Sequence, residues 1–506
     1  MKYISTRGNY NSVSSAEAII LGMVPEGGLF VPEELPKIDI SELKNKSYQE
    51  VAFNILKPFL ADDFTDEEIE NFISMAYNEK NFDSKDVAPL VSLDEKINIL
   101  ELWHGPTFAF KDMALQIMPY FLSKAMEKKN FNKEIVILVA TSGDTGKAAL
   151  EGFKDVPHIK IIVFYPDGGV SSIQELQMKT TDGKNTFVVG VKGNFDDCQT
   201  MVKQIFANKQ FKEELSKKGF ELSSANSINW GRLLPQIVYY FWAYLKLLES
   251  KKILFDEKIN ICVPTGNFGN ILAAHYAKNM GLPVSKLICA SNSNNVLADF
   301  ITSGKYDSKR TFYKTISPSM DILISSNLER FLFDISRRNF LKIREWYENL
   351  SKNGVFKVDE TTKSRLKTEL YGNYSSEEET MKEIKETFEK YNYLLDPHTA
   401  VAMNVYKKYL NESEDDLPVV ISSTASPYKF NSAVYKAITG KDEKDEFKIL
   451  EELNKITNFT VPERLKQLKE LEIKHNLSIS IDEAKKTIKK ILGIGGKRIC
   501  LKSSKK

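Results

Sequence analysis

Continuous apolar runs that alternate with helix-forming segments are the feature that most restricts the fold of this chain. The runs are EIVILVAT (134–141), IKIIVFYP (159–166), NTFVVGVKG (185–193) and KINICVPTG (258–266). Runs of this length are typical of strands buried on both faces of a parallel sheet. Segments between them, such as GKAALEGFK (146–154), hold helix-forming residues. The alternation predicts an α/β fold with doubly wound, mostly parallel sheets.

Length, charge and cysteine usage indicate what class of protein this is, whether globular, secreted, membrane-bound or nucleic-acid-binding. A chain of 506 residues is too long for one hydrophobic core, so several domains are expected. The 70 basic and 68 acidic residues leave a net charge of +2, which predicts neither a nucleic-acid nor a membrane partner. The four cysteines form no CxxC pair, and the N-terminal residues lack the apolar segment of a secretory signal. The apolar run 237–248 is too short to span a bilayer. We therefore expect a cytoplasmic protein.

Three further segments have patterns that predict local structure. Ser47 followed by an apolar periodicity predicts a capped helix over 47–60. The Pro- and Gly-rich segment 24–36 predicts an ordered loop. The charged segment ERLKQLKELEIKH (463–475) predicts an amphipathic helix, and the region 335–395 is helical in pattern.

Two glycine-containing loops each follow a predicted strand and precede a predicted helix. The first is ATSGDTGKAA (140–149) and the second is PTGNFGNILAA (264–274). Backbone N–H groups at such a helix start bind anions, although a tight turn without a ligand is the alternative. The first loop is not a nucleotide P-loop, because only Asp144 and Thr145 separate Gly143 from Gly146. Neither loop has the G-x-G-x-x-G pattern of a dinucleotide site.

Lys111 lies in HGPTFAFKDMAL (104–115), directly after two aromatic residues. The simplest alternative is a solvated surface lysine. An amine in a partly dry pocket has a lowered pKa and becomes a nucleophile. Pyridoxal phosphate needs one amine for its aldehyde and one cradle for its phosphate, and this chain has candidates for both.

The chain resembles the threonine synthases, a family of fold-type-II pyridoxal-phosphate enzymes. The resemblance is carried, in chain order, by YISTRG, GMVPEGGLFVPE, HGPTFAFKD, ATSGDTG, SINWGR, PTGNFGN and STASPYKF. The N-terminal pair and HGPTFAFKD are the most specific of these motifs, whereas other fold-type-II enzymes share the glycine loops. One departure is Ser426, which stands where the family often has histidine.

The resemblance implies a role for each matched residue. Lys111 would carry the cofactor as a Schiff base, and Thr424 would meet the pyridine nitrogen. Asp144 would approach the ring hydroxyl. The substrate carboxylate would lie against Thr141, Ser142, Gly143 and Thr145. The cofactor phosphate would lie against Gly266, Asn267, Phe268, Gly269 and Asn270.

The implied reaction converts O-phospho-L-homoserine and water to L-threonine and phosphate, so the substrate brings a second phosphate. We expect it to be bound by Ser227, Asn229 and Arg232, with Lys179 as a weaker candidate. The alternative for Arg232 is a structural salt bridge. His104 either orients the lysine loop or packs against it. His398 and the three remaining histidines are expected to be structural.

The resemblance implies a division of the chain into an N-terminal domain (1–95), a large cofactor domain (96–130 and 230–430), a small substrate domain (131–229) and a helical C-terminal extension (431–506). A monomer or homodimer is expected, and no metal. Two alternatives to the implied activity stay open: another fold-type-II lyase, such as a threonine or serine dehydratase, and a non-catalytic homologue.

Overall fold

The computed structural model describes residues 1–457 and 459–494. Cys500 and the Lys-rich end of the predicted C-terminal extension lie outside the described residues. Across the described ranges, no helix combines the length and apolar character needed to cross a membrane.

Strands and helices alternate along most of the chain. The strands are β1 (Lys2–Ser5), β2 (Val13–Ser14), β3 (Phe30–Pro32), β4 (Leu90–Ser92), β5 (Ile97–Glu101), β6 (Glu134–Ala140), β7 (Ile159–Pro166), β8 (Thr186–Val191), β9 (Phe220–Ser223), β10 (Ile259–Pro264), β11 (Val284–Ser291), β12 (Lys305–Asp307), β13 (Val355–Lys357), β14 (Leu370–Tyr374), β15 (Val419–Ser423) and β16 (Leu477–Ile479).

The α-helices are α1 (Ser15–Leu21), α2 (Tyr48–Leu60), α3 (Asp66–Ala76), α4 (Asp112–Leu115), α5 (Met118–Lys128), α6 (Asp144–Phe153), α7 (Ser172–Lys179), α8 (Phe195–Ala207), α9 (Lys209–Lys217), α10 (Trp230–Leu233), α11 (Pro235–Glu249), α12 (Gly269–Asn279), α13 (Val296–Ser303), α14 (Leu328–Ile335), α15 (Phe340–Asn353), α16 (Glu360–Glu369), α17 (Glu377–Tyr391), α18 (Pro397–Glu412), α19 (Asn431–Thr439), α20 (Glu446–Thr457), α21 (Glu463–Lys466) and α22 (Ala484–Leu492).

The larger sheet has six strands in the order β14-β11-β10-β15-β5-β4. All neighbours are parallel except β4 and β5, which are antiparallel. Every residue of β5, β10 and β15 is buried, because helices cover both faces. The carboxyl ends of β5, β10 and β15 therefore meet at one edge, where the lysine loop, the PTGNFGN loop and Thr424 follow.

The second sheet has five parallel strands in the order β16-β8-β7-β6-β9. Its strands β6, β7 and β8 are the continuous apolar runs predicted from the sequence, and α6 follows β6 directly after the ATSGDTG loop. The edge strand β16 comes from the C-terminal part of the chain and pairs with β8. The C-terminal extension therefore adds an edge strand to this sheet in addition to its helices α19 to α22.

The N-terminal residues form a three-stranded antiparallel sheet that docks on α14. Thr6 donates from Oγ1 to Glu329 Oε1 at 2.6 Å, and Arg7 pairs with the same carboxylate at 2.8 Å. The fully buried Arg330 donates from Nε to the Phe30 carbonyl oxygen at 2.9 Å and from Nη1 to Asn327 Oδ1 at 2.7 Å. The N-terminal motifs therefore anchor the segment that precedes α14.

The α/β fold is confirmed, and most local predictions hold. Ser47 caps α2 with a capping box, and the buried apolar run 237–248 lies within α11. One prediction is wrong. The segment 463–475 is not one amphipathic helix, because α21 covers four residues and a short 3₁₀ turn follows it. The region 335–395 contains the helices α15, α16 and α17, as its pattern predicted, and the short strands β13 and β14 lie between them. The loop predicted over 24–36 contains the short strand β3. The predicted domain borders stay a prediction.

Gly152 provides a test of how closely α6 packs on the helix that follows Lys111. A Cβ built on Gly152 would lie 2.0 Å from the Leu115 carbonyl oxygen. Helix propensity alone predicts that Gly152→Ala stabilises the protein by about 0.5–1 kcal/mol. We expect the reverse, a loss of about 1–3 kcal/mol in the free energy of unfolding, because backbone has to move.

Denaturant unfolding of Gly152→Ala measures this loss, with Gly231→Ala as the matched control. Gly231 is likewise a helical glycine, but its added Cβ would meet side-chain atoms at an ordinary 3.4 Å. The control should unfold within about 0.5 kcal/mol of the parent or be slightly more stable. Equal behaviour of the two variants would contradict the close packing of α6 on α4.

Candidate active site

A tight loop between β5 and α4 presents Lys111 at the edge of the larger sheet. Asp112 accepts from the N–H of Thr107 at 2.8 Å and from its hydroxyl at 2.7 Å. The Phe110 N–H donates to the Thr424 carbonyl oxygen at 2.8 Å. Phe108 has a φ of 59°, a left-handed conformation that turns the chain before the lysine. These contacts fix Lys111 beside Thr424, and only 8% of the residue is exposed.

His104 is anchored at the start of this loop by two carboxylates. Its Nδ1 lies 2.5 Å from Asp83 Oδ1, and its Nε2 lies 2.8 Å from Glu101 Oε2. Burial lowers the pKa of His104, but the two carboxylates outweigh it and raise that pKa to about 9. The imidazole therefore carries a charge at neutral pH and ties the loop to β5.

The Lys111 amine faces a buried carboxylate from the second sheet. Asp144, the first residue of α6, has Oδ2 3.6 Å from Lys111 Nζ and Oδ1 2.6 Å from Lys429 Nζ. All three residues are at most 8% exposed. Loops from both sheets therefore meet at one ion cluster, which we call the Asp144 cluster (Lys111, Asp144 and Lys429).

Burial and charge shift the pKa values of the Asp144 cluster in opposite directions. Burial lowers the pKa of Lys111, Asp144 raises it, and the positive charges of Lys429 and Arg232 lower it again, with a net pKa of about 8. Burial raises the pKa of Asp144, but the charges of Lys429 and Lys111 hold it well below its usual range. The result is an amine that exchanges protons near neutral pH beside a carboxylate that stays ionised.

Arg232 adds a third buried cation to this region. Its Nη1 donates to the Ala225 carbonyl oxygen at 2.6 Å, while its Nε has no hydrogen-bond partner in the described part of the chain. Burial lowers its pKa to about 10. No described carboxylate forms an ion pair with Arg232, so the structural salt bridge considered from the sequence is not present among residues 1–457 and 459–494. Its charge is available to an anion.

The PTGNFGN loop opens α12 and approaches a neighbouring segment closely. A Cβ on Gly266 would lie 2.7 Å from the Ser319 carbonyl oxygen, so only glycine fits there. Phe268 has a φ of 62°, and the amides of Gly269 and Asn270 follow it at the helix start. Such amides have no carbonyl one turn earlier to which they can donate. Asn270 accepts from the Tyr239 hydroxyl at 2.8 Å, while its buried Nδ2 has no partner among the described residues.

The ATSGDTG loop is held in shape by its own side chains. Thr141 Oγ1 accepts from the N–H groups of Gly143 and Gly146, each at 2.9 Å. A Cβ on Gly143 would lie 2.5 Å from the side chain of Gln174, which donates to Asp144 Oδ1 at 3.0 Å. Thr141 therefore orders the loop rather than offering a free acceptor. Ser142 and Thr145 are partly exposed at the same turn.

Three residues predicted to bind the substrate phosphate have other partners. Asn229 caps α10, with Oδ1 accepting from the Gly231 N–H at 2.9 Å and Nδ2 donating to the Ile19 carbonyl oxygen at 2.9 Å. Ser227 Oγ accepts from Asn327 Nδ2 at 2.9 Å. Lys179 pairs with Glu175 on the same helix at 2.6 Å. These contacts favour structural roles, and the predicted phosphate contacts stay predictions.

The structure also brings in four residues that the sequence did not single out as site residues. They are Lys429, Gln174, Ser319 and His398. Ser319 Oγ donates to Asp144 Oδ2 at 3.2 Å and accepts from Lys111 Nζ at 3.3 Å. Lys429 lies in the motif STASPYKF, so the resemblance offered a signal for it. Ser319 and Gln174 lie outside every motif quoted above, and their contacts depend on how distant segments pack.

These groups fit pyridoxal phosphate. The cofactor needs an amine of lowered pKa, which Lys111 provides, and backbone amides for its phosphate, which Gly269 and Asn270 provide. The buried Asn270 Nδ2 without a partner and the close approach at Gly266 are the features expected of a site that a ligand completes. The charges that act on Lys111 are two cations, Lys429 and Arg232, and one carboxylate, Asp144. This balance favours an anionic cofactor.

Three family models match consecutive parts of the chain. Residues 2–77 match "Threonine synthase N terminus", residues 87–348 match "Pyridoxal-phosphate dependent enzyme", and residues 399–486 match "Threonine synthase, C-terminal".

Similar proteins include threonine synthases from bacteria and yeast. The chain is 39% identical to threonine synthase of Pseudomonas aeruginosa, covering 87% of this chain and 91% of that protein. It is 37% identical to threonine synthase of Saccharomyces cerevisiae, covering 93% and 96%. Human threonine synthase-like 1 is 42% identical over 84% of this chain, but the match spans only 58% of that longer protein.

Solved structures agree with these matches. Threonine synthase from yeast superposes with a TM-score of 0.87 at 35% identity, covering 97% of this chain and 99% of that one. The structure of PLP-bound threonine synthase from Brucella melitensis gives a TM-score of 0.86 at 35% identity, covering 96% and 98%. The buried lysine, the two glycine loops and these relatives lead to one conclusion: the chain belongs to the threonine synthase family of pyridoxal-phosphate-dependent enzymes.

Proposed function

We propose that this chain converts O-phospho-L-homoserine and water to L-threonine and inorganic phosphate. The observation that carries the proposal is the excess of buried positive charge beside Lys111. Lys111 and Lys429 pair with the carboxylate of Asp144, and the buried Arg232 adds a further positive charge that acts on Lys111. Uncompensated buried charge is costly, so the site is built for anionic groups. A phosphorylated cofactor and a phosphorylated substrate would supply them.

Lys111 is the residue we assign to proton transfer. When bound, pyridoxal phosphate supplies an aldehyde that condenses with amines and a ring that accepts the electron pair left by proton removal. Lys111 Nζ takes the proton from the substrate Cα, and the same amine serves the later proton transfers at Cβ and Cγ. A pKa of about 8 suits this task, because the amine gains and loses protons readily near neutral pH.

The substrate is oriented by its two anionic ends. We assign Arg232 and Lys429 to its phosphate, because a guanidinium forms bidentate contacts with phosphate oxygens and both cations are buried. The turn at Ser142 to Thr145 takes the substrate carboxylate through backbone N–H groups and hydroxyls. Phosphate then leaves Cγ beside cations that stabilise its developing charge. Thr424, which is fixed beside the lysine loop, is assigned to the pyridine nitrogen.

The location and assembly of the protein belong to the same proposal. A cytoplasmic location, an assembly no larger than a homodimer and a role at the end of threonine biosynthesis stay predictions. Another fold-type-II lyase would need the lysine and both glycine loops but no second phosphate site. Release of inorganic phosphate from phosphohomoserine, compared with release of ammonia from threonine or serine, separates the two activities.

Covalent attachment of the cofactor at Lys111 is the first prediction. Borohydride reduction of the coloured protein, digestion and mass spectrometry should place the pyridoxyl label on the peptide that contains Phe110, Lys111 and Asp112. Lys111→Ala should lose the label and lower kcat by at least about a thousandfold. The control is Lys124→Ala, at a lysine paired with Glu127 and Glu68. It should keep the pyridoxyl label on the Lys111 peptide and the kcat of the parent. A label on any other lysine would remove Lys111 from this role.

Arg232 should determine affinity for the substrate phosphate. Arg232→Ala should raise KM for phosphohomoserine about 10- to 100-fold, because hydrogen bonds to charged groups are worth about 1.5–3 kcal/mol. The visible absorption of the bound cofactor should be kept. Arg232→Lys should retain part of the affinity, since the charge remains without the bidentate geometry. Steady-state kinetics test this with Arg310→Ala, a surface residue paired with Asp299, as the control. An unchanged KM would exclude Arg232 from the phosphate site.

We expect the Asp144 carboxylate to keep the pKa of Lys111 higher than it would be without that charge. The carboxylate raises that pKa while burial, Lys429 and Arg232 lower it to about 8. Asp144→Asn removes only the raising contribution, so the pKa should fall below 8 and more of the amine should be neutral at pH 7. The pH dependence of Lys111 acylation in cofactor-free protein, quantified on the Lys111 peptide, measures the midpoint. Glu175→Gln, which affects Lys179 instead, should leave the midpoint unchanged. A midpoint that stays or rises in Asp144→Asn contradicts the assignment.

A further inference from the structure

His398 lies at the start of α18, where a carboxylate fixes its orientation. Asp396 caps this helix and accepts from the N–H of His398 at 2.9 Å and from the N–H of Thr399 at 3.3 Å. The same Asp396 Oδ1 lies 2.7 Å from His398 Nδ1. Both residues are at most 1% exposed, and the edge of the imidazole packs against the Phe430 ring with centroids 4.7 Å apart. The ring therefore has little freedom to turn.

The second nitrogen of His398 faces the active site. His398 Nε2 lies 3.2 Å from the backbone nitrogen of Ser319 and accepts from its N–H. A backbone N–H can only donate, so Nε2 needs a lone pair, and the imidazole proton resides on Nδ1, where it is donated to Asp396. The two partners thus select one neutral tautomer. The sequence predicted only a structural residue here, whereas both ring nitrogens of His398 have a defined hydrogen-bond partner next to the active site.

Ser319 joins three parts of the active site. Its hydroxyl lies 3.3 Å from Lys111 Nζ and 3.2 Å from Asp144 Oδ2. Its carbonyl oxygen lies 2.7 Å from the position that a Cβ on Gly266 would take. A hydroxyl can accept from an ammonium group and donate to a neutral amine, whereas a carboxylate can only accept. Ser319 is therefore able to stay hydrogen-bonded to Lys111 in both protonation states.

The segment that carries Ser319 is fixed on its other side by a separate network. Asp321 accepts from the N–H of Thr315 at 3.0 Å, from its hydroxyl at 2.7 Å, and from the amides of Asn292 and Asn294 at 2.8 and 3.0 Å. This network holds the ends of the turn. The bond from the Ser319 N–H to His398 fixes the residue at its tip, which is the one that reaches Lys111.

We propose that Asp396 and His398 form a positioning pair that holds the Ser319 hydroxyl between Lys111 and Asp144, and that this placement governs proton transfer by Lys111. Ser319 touches the reacting amine, whereas His398 and Asp396 act through Ser319. The inference rests on the proposed function, since it concerns the proton-transfer steps of the same lysine. It predicts a loss in kcat with little change in KM, because neither His398 nor Ser319 is assigned to the substrate phosphate.

Substitutions at His398 test the inference in the full-length enzyme loaded with cofactor. His398→Ala removes the acceptor and should lower kcat about a hundredfold, the loss expected from a misplacement of about 1 Å, with KM within about threefold. His398→Gln places an amide oxygen near the position of Nε2 and should recover most of kcat. Asp396→Asn should be as damaging as His398→Ala, because an amide donor at Nδ1 reverses the tautomer. His475→Gln, at a buried histidine 2.8 Å from the Thr181 carbonyl oxygen, should leave kcat unchanged.

A double-mutant cycle distinguishes positioning from a general loss of stability. Ser319→Ala alone should lower kcat about as much as His398→Ala, and the double variant should be no worse than Ser319→Ala. The inference would be overturned if the fold-losses in kcat of the two single variants multiplied in the double variant. It would also be overturned if His398→Gln were as slow as His398→Ala. Thermal unfolding and borohydride labelling of Lys111 should stay close to the parent in His398→Gln and Ser319→Ala. If the parent enzyme released no phosphate from phosphohomoserine, the proposed function itself would be refuted. Failure of the positioning inference and failure of the proposed function are therefore distinguishable.

Discussion

The ion cluster of Lys111, Asp144 and Lys429 is the contact on which the rest of the site depends. Two lysines and a carboxylate are withdrawn from water here, and removing one partner of such a cluster leaves an uncompensated buried charge that costs several kcal/mol. Lys111 and Lys429 follow strands of the larger sheet, whereas Asp144 begins a helix of the second sheet. The cluster therefore couples the chemistry to the packing of one sheet against the other, and its charges act together with burial on the pKa of the amine.

Several other contacts in the structure hold these charged groups at their positions. Gly152 lets α6 approach the helix after Lys111, and Gln174 supports Asp144 from α7. Arg330 ties the N-terminal sheet to Asn327, whose N–H and side chain both donate to the Asn267 carbonyl oxygen. The N-terminal motifs that are most specific to the family are thus linked to the PTGNFGN loop through the start of α14. These N-terminal motifs contribute by positioning other segments, since their side chains contact protein groups away from Lys111.

Sequence patterns predicted those parts of the structure that depend on local chemistry. Continuous apolar runs became the buried strands β6, β7, β8 and β10, and Ser47 became a helix cap. The segment 463–475 was wrongly predicted as one helix: Leu465 and Leu468 are buried in a hydrophobic cluster as its periodicity requires, but the α-helix ends at Lys466 and a 3₁₀ turn follows. The strands β14 and β16 were missed because short, half-buried edge strands have no pattern of their own. Asn229 was predicted to bind phosphate and is seen to cap α10; helix capping and phosphate binding favour the same residue type, so its predicted role stays a prediction.

The sequence by itself determined the α/β class, the two glycine-containing turns and the choice of Lys111 as the candidate lysine, because each depends on residues that are neighbours in the chain. Only the tertiary structure decided which charges surround that lysine. Lys429, Arg232, Ser319 and His398 come from segments up to about three hundred residues away, and their effect on the amine depends on distances of a few ångströms. Burial and Coulomb interactions vary steeply over such distances, so the pKa of Lys111 and the tautomer of His398 are properties of the packed molecule.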